Sequence, residues 1–234
     1  MRVLAIGAHP DDIEIACSGT LAKCVKRGDK VIVCHASTGN LGHVVIPPDE
    51  LTEIRKKEAE KAGSLAGIEV IGGMFNDLDI FDNNKAARDK MVEVIKYAQP
   101  DFIITHNPDD YMPDHTAVSR LVFDASFTAT LPNYHVGGEK AAKLVAIYYM
   151  DTLAGVNFNP TEFVDISDEI DLKIKMLECH ESQLKWMREH DNIDFADFVR
   201  TIAKYRGFQC GVAYAEAFTQ AFVYPKVQPR RLLP

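Results

Sequence analysis

The chain has 234 residues and is 47% hydrophobic, enough to build one core without subdivision, so a single domain over residues 1–234 is expected. Its 26 Lys and Arg against 34 Asp and Glu leave a formal net charge of −8, which argues against affinity from a clustered basic surface and hence against nucleic acid. No apolar run approaches the roughly 20 residues of a membrane span, no basic-then-apolar leader opens the chain, and the five cysteines lack CxxC spacing, which leaves a cytoplasmic protein with reduced core thiols as the expectation.

Val3 to Gly7 is continuously apolar, as a strand buried on both faces of a parallel sheet must be, and a polar loop opens at Ala8. Apolar residues then recur at helical spacing from Gly19 to Lys26, with Arg27, Gly28 and Asp29 as the stop. Lys30 to Ala36 is a second β-branched run, so the opening of the chain reads as a βαβ unit. Leu51 to Ala66 has helical periodicity, Val70 to Met74 is a short strand, and Ala86 to Ala98 is a helix ended by Pro100. Asp101 to Thr105 is another buried strand, and a helix over Thr116 to Ala129 follows the polar stretch His106 to His115. This alternation predicts an α/β fold: a doubly wound, mostly parallel, Rossmann-like sheet with helices on both faces and ligands beyond the carboxyl ends of its strands. A strand at Leu144 to Met150 and helices at Asp168 to Glu189 and Asp194 to Tyr205 complete the expected elements. The tail from Pro225 to Pro234, with Pro225, Pro229, Arg230 and Arg231, reads as irregular and suited to packing on a neighbouring subunit.

Two polar stretches carry the chemistry. Ala8-His9-Pro10-Asp11-Asp12-Ile13-Glu14 sets one imidazole and three carboxylates directly after a buried strand, although Asp11 or Asp12 could equally cap the next helix. The run from His106 to His115, which contains Asp109, Asp110, Tyr111, Met112, Pro113 and Asp114, again follows a buried strand and ends at a helix start. Two such stretches can face each other across one crevice. A catalytic zinc takes three protein ligands from His, Asp and Glu and leaves its fourth position to water, and His9, Asp12 and His115 suffice for that. His and carboxylate ligands also suit iron, cobalt or manganese. GxGxxG is absent after the first strand, which sets dinucleotide binding aside.

At these residues the sequence resembles the PIG-L/LmbE-like de-N-acetylases, including the deacetylases of bacillithiol pathways. The likeness runs through Ala8-His9-Pro10-Asp11-Asp12, Ser18-Gly19-Thr20-Leu21-Ala22, Arg55-Lys56-Lys57-Glu58-Ala59, Pro113-Asp114-His115, His180-Glu181-Ser182-Gln183 and Tyr214-Ala215-Glu216-Ala217-Phe218. The resemblance implies a zinc-dependent deacetylase acting on a small N-acetylglucosamine conjugate, with a homo-oligomeric assembly. It implies His9, Asp12 and His115 as metal ligands and Asp11 as the general base that takes a proton from water and returns it to the departing amine. Asp114 would hold a neighbouring polar group beside the metal. Arg55 matches an arginine that reaches the substrate, or else pairs with Glu58 on a helix surface; Asp77 matches a carboxylate for sugar hydroxyls, or else a turn residue. His180 and Gln183, three apart, share a helical face and suggest a packed polar contact, while His35, His43, His135 and His190 have no partner motif.

One position departs from the family pattern. Met112 stands where a histidine normally helps stabilise the oxyanion, and a thioether donates no hydrogen bond. Losing one such donor costs about 10²–10³ in rate. Tyr111 is the nearest replacement, with His106 a second; the competing expectation is a catalytically weakened metal- and sugar-binding protein of the same fold.

Overall fold

The computed structural model describes residues 1–226 and 231–234. Its sheet has seven strands: β1 (Arg2–Gly7), β2 (Lys30–Ser37), β3 (Glu69–Phe75), β4 (Phe102–Thr105), β5 (Ala146–Met150), β6 (Glu162–Asp165) and β7 (Ala215–Gln220), in the order β3-β2-β1-β4-β5-β7-β6. The first five are parallel, and β7 runs antiparallel to both β5 and β6. The helices are α1 (Asp12–Ala16), α2 (Ser18–Lys26), α3 (Pro48–Ala66), α4 (Lys85–Ala98), α5 (Pro113–Thr128), α6 (Ile170–Leu177), α7 (Glu181–His190) and α8 (Phe195–Cys210).

Alternation along β1 explains its unbroken apolar sequence. Val3 and Ala5 join the core on one face with Ile13, Leu21 and Phe218, whereas Leu4 and Ile6 join the opposite core with Met91, Ile95 and Leu121. Full burial of each large side chain contributes about 1.5–3 kcal/mol, so a polar residue on either face of this strand would be costly. The chain builds outward from β1 through β2 to β3, then crosses back to place β4 on the other side of β1. The order therefore reverses between β1 and β4, where loops leaving the carboxyl ends diverge and open a crevice. Ala8 to Asp12 leaves β1 there, and His106 leaves β4 there.

The carboxyl-terminal half pins this crevice through a buried ion pair. The Lys173 ammonium on α6 donates to Glu216 Oε1 of β7 at 2.6 Å and to the carbonyls of Glu14 and Ile15, both at 2.8 Å. Glu216 in turn accepts the backbone N–H groups of Gly19 and Thr20 at 2.9 and 2.7 Å, satisfying donors in the first turn of α2. Gly19 must be glycine for α2 to approach so closely, because a Cβ there would lie 2.9 Å from Ile166.

Several expectations need correction. The helix expected from Thr116 begins at Pro113, since proline fits the first helical position, so Asp114 and His115 lie in its first turn. The helix expected over Asp168 to Glu189 is two helices that break at His180. Glu58 of α3 makes the break stable: its carboxylate accepts from Ser182 N and Ser182 Oγ, both at 2.7 Å, and serves as the cap for α7. The strands β6 and β7 were not anticipated; the short β6 sequence offers little periodicity, and β7 includes the buried Glu216. In the tail, Pro229 and Arg230 lie outside the described residues. Leu232 and Leu233 are buried in this chain's own core, and Leu232 N donates to the Tyr148 hydroxyl at 3.2 Å, so the end of the tail packs on its own sheet. All five cysteines are free, with four buried and Cys210 exposed. Among the described residues no helix is long and apolar enough to cross a membrane.

Candidate active site

A cavity of about 350 Å³ opens in the crevice between β1 and β4, and both polar stretches line it. His9, Asp12 and His115 converge there, with one ligand atom from each within 4.8 Å of the others. His9 Nδ1 lies 3.5 Å from Asp12 Oδ2, and His115 Nε2 lies 3.3 Å from Asp12 Oδ1. Each imidazole is held from behind by a second carboxylate: His9 Nε2 by Asp114 Oδ2 at 3.2 Å, and His115 Nδ1 by Asp110 Oδ2 at 3.0 Å. Metal-binding imidazoles characteristically have such partners, which fix the ring and direct the other nitrogen inward. Two further groupings lie close enough to hold an ion, His106 with Asp110 and His115, and His9 with Asp77 and Asp114. The first set is favoured because His115 Nε2 is buried yet has no hydrogen-bond partner, whereas Asp110 and Asp114 are already engaged as orienting groups.

The electrostatics match a site prepared for a cation. Burial opposes protonation of His9, but its hydrogen bonds to the Asp114 and Asp12 carboxylates outweigh it and raise its pKa to about 10. His115 is likewise opposed by burial and lifted by Asp12 and Asp110, to about 9. Burial also disfavours the Asp12 carboxylate, yet His115 and His106 hold it well below the usual carboxylate range.

Asp11 is a different kind of carboxylate. It stands at the N-cap of α1 with φ 145°, and its side chain makes no cap bond, which removes the capping alternative. Such a backbone conformation costs about 1–3 kcal/mol in a non-glycine residue and persists only when its surroundings hold it. Arg55 supplies that hold. Its guanidinium donates to the carbonyl of Pro10 at 2.6 Å and pairs with Asp11 Oδ1 at 3.1 Å, while a second donation reaches the carbonyl of Gly39 at 3.1 Å. Gly39, with φ 71°, has to be glycine, because a Cβ there would sit 2.4 Å from Arg55 Nη1. Arg55 is therefore buried in the site and not on a helix surface, and Glu58 is used to cap α7. Burial pushes the Asp11 pKa up to about 6 against the opposing charge of Arg55.

The remaining expected residues separate. Asp77 lines the cavity, accepts Leu41 N at 2.9 Å and leaves Oδ1 buried without a partner, so it is not merely a turn residue. Asp114 also accepts Leu78 N at 2.8 Å, which ties the loop after β3 to the first turn of α5. Met112 lines the cavity, whereas Tyr111 is 52% exposed and is absent from its wall, so the structure does not bring that phenol to the site. His106 does line it and stacks on His115 with ring centroids 3.8 Å apart. Its Nε2 accepts Ala8 N–H at 2.9 Å, and burial followed by repulsion from His115 lowers its pKa to about 4. Gln183 lines the cavity and donates to the Gly42 carbonyl at 3.2 Å; His180 is buried with Nε2 3.3 Å from Glu14 Oε2, beneath the site.

Sequence reasoning missed Asp110, Trp186 and Asp151. Asp110 was legible as another carboxylate of the His106–His115 run, five residues before the histidine it orients. Trp186 and Asp151 gave no local signal, since only the folding of α7 and the loop after β5 brings them to the wall.

Comparison with known proteins identifies the family. Residues 4–126 match the family profile described as PIG-L: GlcNAc-PI de-N-acetylase. A diacetylchitobiose deacetylase of Thermococcus kodakarensis is 29% identical over 92% of this chain and 81% of its own length. The solved N,N'-diacetylchitobiose deacetylase of Pyrococcus horikoshii superposes with a TM-score of 0.80 at 27% identity, covering 93% of this chain and 82% of that one. A 4-oxalmesaconate hydratase of Pseudomonas putida is 25% identical over 96% of this chain and 90% of its own length.

Proposed function

Because the chain belongs to the PIG-L family, we propose that it is a metal-dependent amide hydrolase that removes the acetyl group from an N-acetylglucosamine-type amino-sugar conjugate. The observation that carries this is Asp11: a buried, backbone-strained carboxylate free of capping duty, fixed by Arg55 on the wall of the cavity that holds His9, Asp12 and His115. A protein that merely bound metal or sugar would need the ligands but would gain nothing from a proton acceptor beside them.

The donor set fits a divalent ion, and zinc is the ion proposed, held by His9, Asp12 and His115. What such an ion supplies when bound is Lewis acidity, which polarises the amide carbonyl and makes water acidic near neutral pH. Asp11 accepts the proton from the attacking water. The same carboxyl then gives that proton to the amide nitrogen as the C–N bond breaks, so the products are acetate and a free amine. Asp114 and Asp110 keep the two imidazoles oriented, and Asp77 offers its unpartnered oxygen to a sugar hydroxyl. Homo-oligomeric assembly and a cytoplasmic setting are further proposals that rest on the resemblance, and light scattering tests the first.

Acetate release from N-acetylglucosamine conjugates by the metal-loaded protein is the decisive measurement. No acetate from any of them with zinc, iron, cobalt or manganese would overturn the assignment. Hydration of an unsaturated carboxylic acid in place of acetate release would move the chain beside its hydratase relative.

Metal binding itself has an expected proton signature. Both imidazoles must be neutral to bind an ion, yet their pKa values of about 10 and about 9 leave both protonated at pH 7.5. Adding zinc to metal-free protein at that pH is expected to release about two protons per ion, with affinity rising with pH until about 9–10. A pH indicator in weak buffer measures the release, and elemental analysis of His115→Ala checks the ligand. Equal metal content in that variant, or no released protons, contradicts the assignment.

A further inference from the structure

The cavity has two chemically distinct walls. Imidazoles and carboxylates from the loops after β1 and β4 form one; α7, the start of α8 and the loops after β2 and β5 contribute Trp186, Met187, Phe195, Leu41 and Leu153 to the other. Trp186 is the only tryptophan in the chain. Its indole is braced by His190, stacked with centroids 4.4 Å apart and planes 9° from parallel, and by His43 at 6.1 Å. A braced aromatic surface loses little conformational freedom when a ring settles against it.

Charge narrows what that ring can carry. Asp11, Asp12, Asp77, Asp114 and Asp151 line the cavity, and among the described lining residues Arg55 is the only lysine or arginine. Both terminal nitrogens of its guanidinium are committed, to Gly39, Pro10 and Asp11, and its Nε is buried. Asp151, at the apolar wall, is paired with Arg206, which lies outside the lining. At the Trp186 wall an anionic appendage would meet apolar side chains and the Asp151 carboxylate, with the proposed metal ligands and Arg55 on the Asp11 side of the cavity, whereas an uncharged ring would meet mainly apolar and aromatic surface.

We infer that the acetylated sugar carries an uncharged ring that seats against Trp186, and that the site discriminates against anionic appendages. This rests on the deacetylase reading above. The test compares free N-acetylglucosamine with its phenyl, 4-carboxyphenyl and N-acetylglucosaminyl conjugates, the phenyl and disaccharide arms separating an aryl ring from a second sugar. For the better of these two neutral conjugates, kcat/KM is expected to be about tenfold above that of the free sugar and of the carboxyphenyl conjugate. Trp186→Ala should abolish that gain through KM, so that the variant handles the neutral conjugate no better than the free sugar, and Trp186→Phe, which keeps a ring, should retain most of it. Acetate release at equal efficiency from all four, preference for the carboxyphenyl conjugate, or indifference to Trp186→Ala overturns the inference and leaves the deacetylase assignment standing. If no acetate appears at all, fluorescence of the single tryptophan still decides: quenching by a neutral conjugate at concentrations where the carboxyphenyl conjugate has no effect supports the ring seat, and equal or absent responses to both overturn it.

Discussion

Asp11→Asn is expected to lower kcat by about 10²–10⁴-fold while leaving the bound metal in place. The amide preserves shape and can still accept a hydrogen bond from Arg55, and that guanidinium keeps the Pro10 and Gly39 carbonyls, so the strained turn should survive. What is lost is the basic oxygen that takes the water's proton. The pH profile gives a second reading of the same residue. Burial raises the Asp11 pKa to about 6, and the base works only when ionised, so kcat/KM of the parent protein should fall as pH drops through about 6. A bound cation would draw that limb lower, and the asparagine variant should lack the contribution entirely. Steady-state kinetics from pH 4.5 to 8 with metal analysis of both proteins checks this. Near-normal turnover by the variant removes Asp11 from the chemistry, and loss of metal makes it a ligand instead.

The largest expected loss of stability comes from Lys173→Met. Lys173 is 1% exposed, and all three ammonium hydrogens have partners, namely Glu216 and the carbonyls of Glu14 and Ile15. Methionine fills similar space but leaves Glu216 as a buried carboxylate with only the Gly19 and Thr20 N–H groups, and it takes the ammonium donor from the Glu14 and Ile15 carbonyls, of which Glu14 keeps the Ser18 hydroxyl. Breaking a buried pair from one side costs roughly 3–5 kcal/mol, a large share of the roughly 5–15 kcal/mol that holds a domain together. A Tm lower by about 6–20 °C is the corresponding shift for a chain of this size. The double variant Lys173→Met with Glu216→Gln should recover part of the loss, since no unpaired charge then remains buried. Urea and thermal unfolding of the three proteins measures it. A loss below about 1 kcal/mol for Lys173→Met would show that the pair contributes little beyond its packing.

By itself the sequence determined the parallel half of the fold and the two polar stretches that line the candidate site. Buried parallel strands require continuous apolar runs and their crossover helices require a 3.6-residue period, so Val3 to Gly7, Lys30 to Ala36 and Asp101 to Thr105 were legible locally. His9, Asp11 and Asp12 stood out as ionisable groups directly after a buried strand, and His115 as the close of a second polar stretch; the structure brings all four to one cavity. What only the tertiary structure decided are pairings between residues far apart in the chain. Arg55 has the local sequence of a surface helix and becomes a buried support of Asp11 only because the loops carrying Pro10 and Gly39 fold over it. The break at His180 violates local helical periodicity and is stable because Glu58, on another helix, supplies the missing cap. Tyr111, one residue from Met112, faces outward while Met112 lines the cavity, a difference in direction set by the entry into α5 at Pro113. Local propensity is a sum over neighbours in sequence, whereas burial of a charge is decided by whichever distant partner arrives to satisfy it.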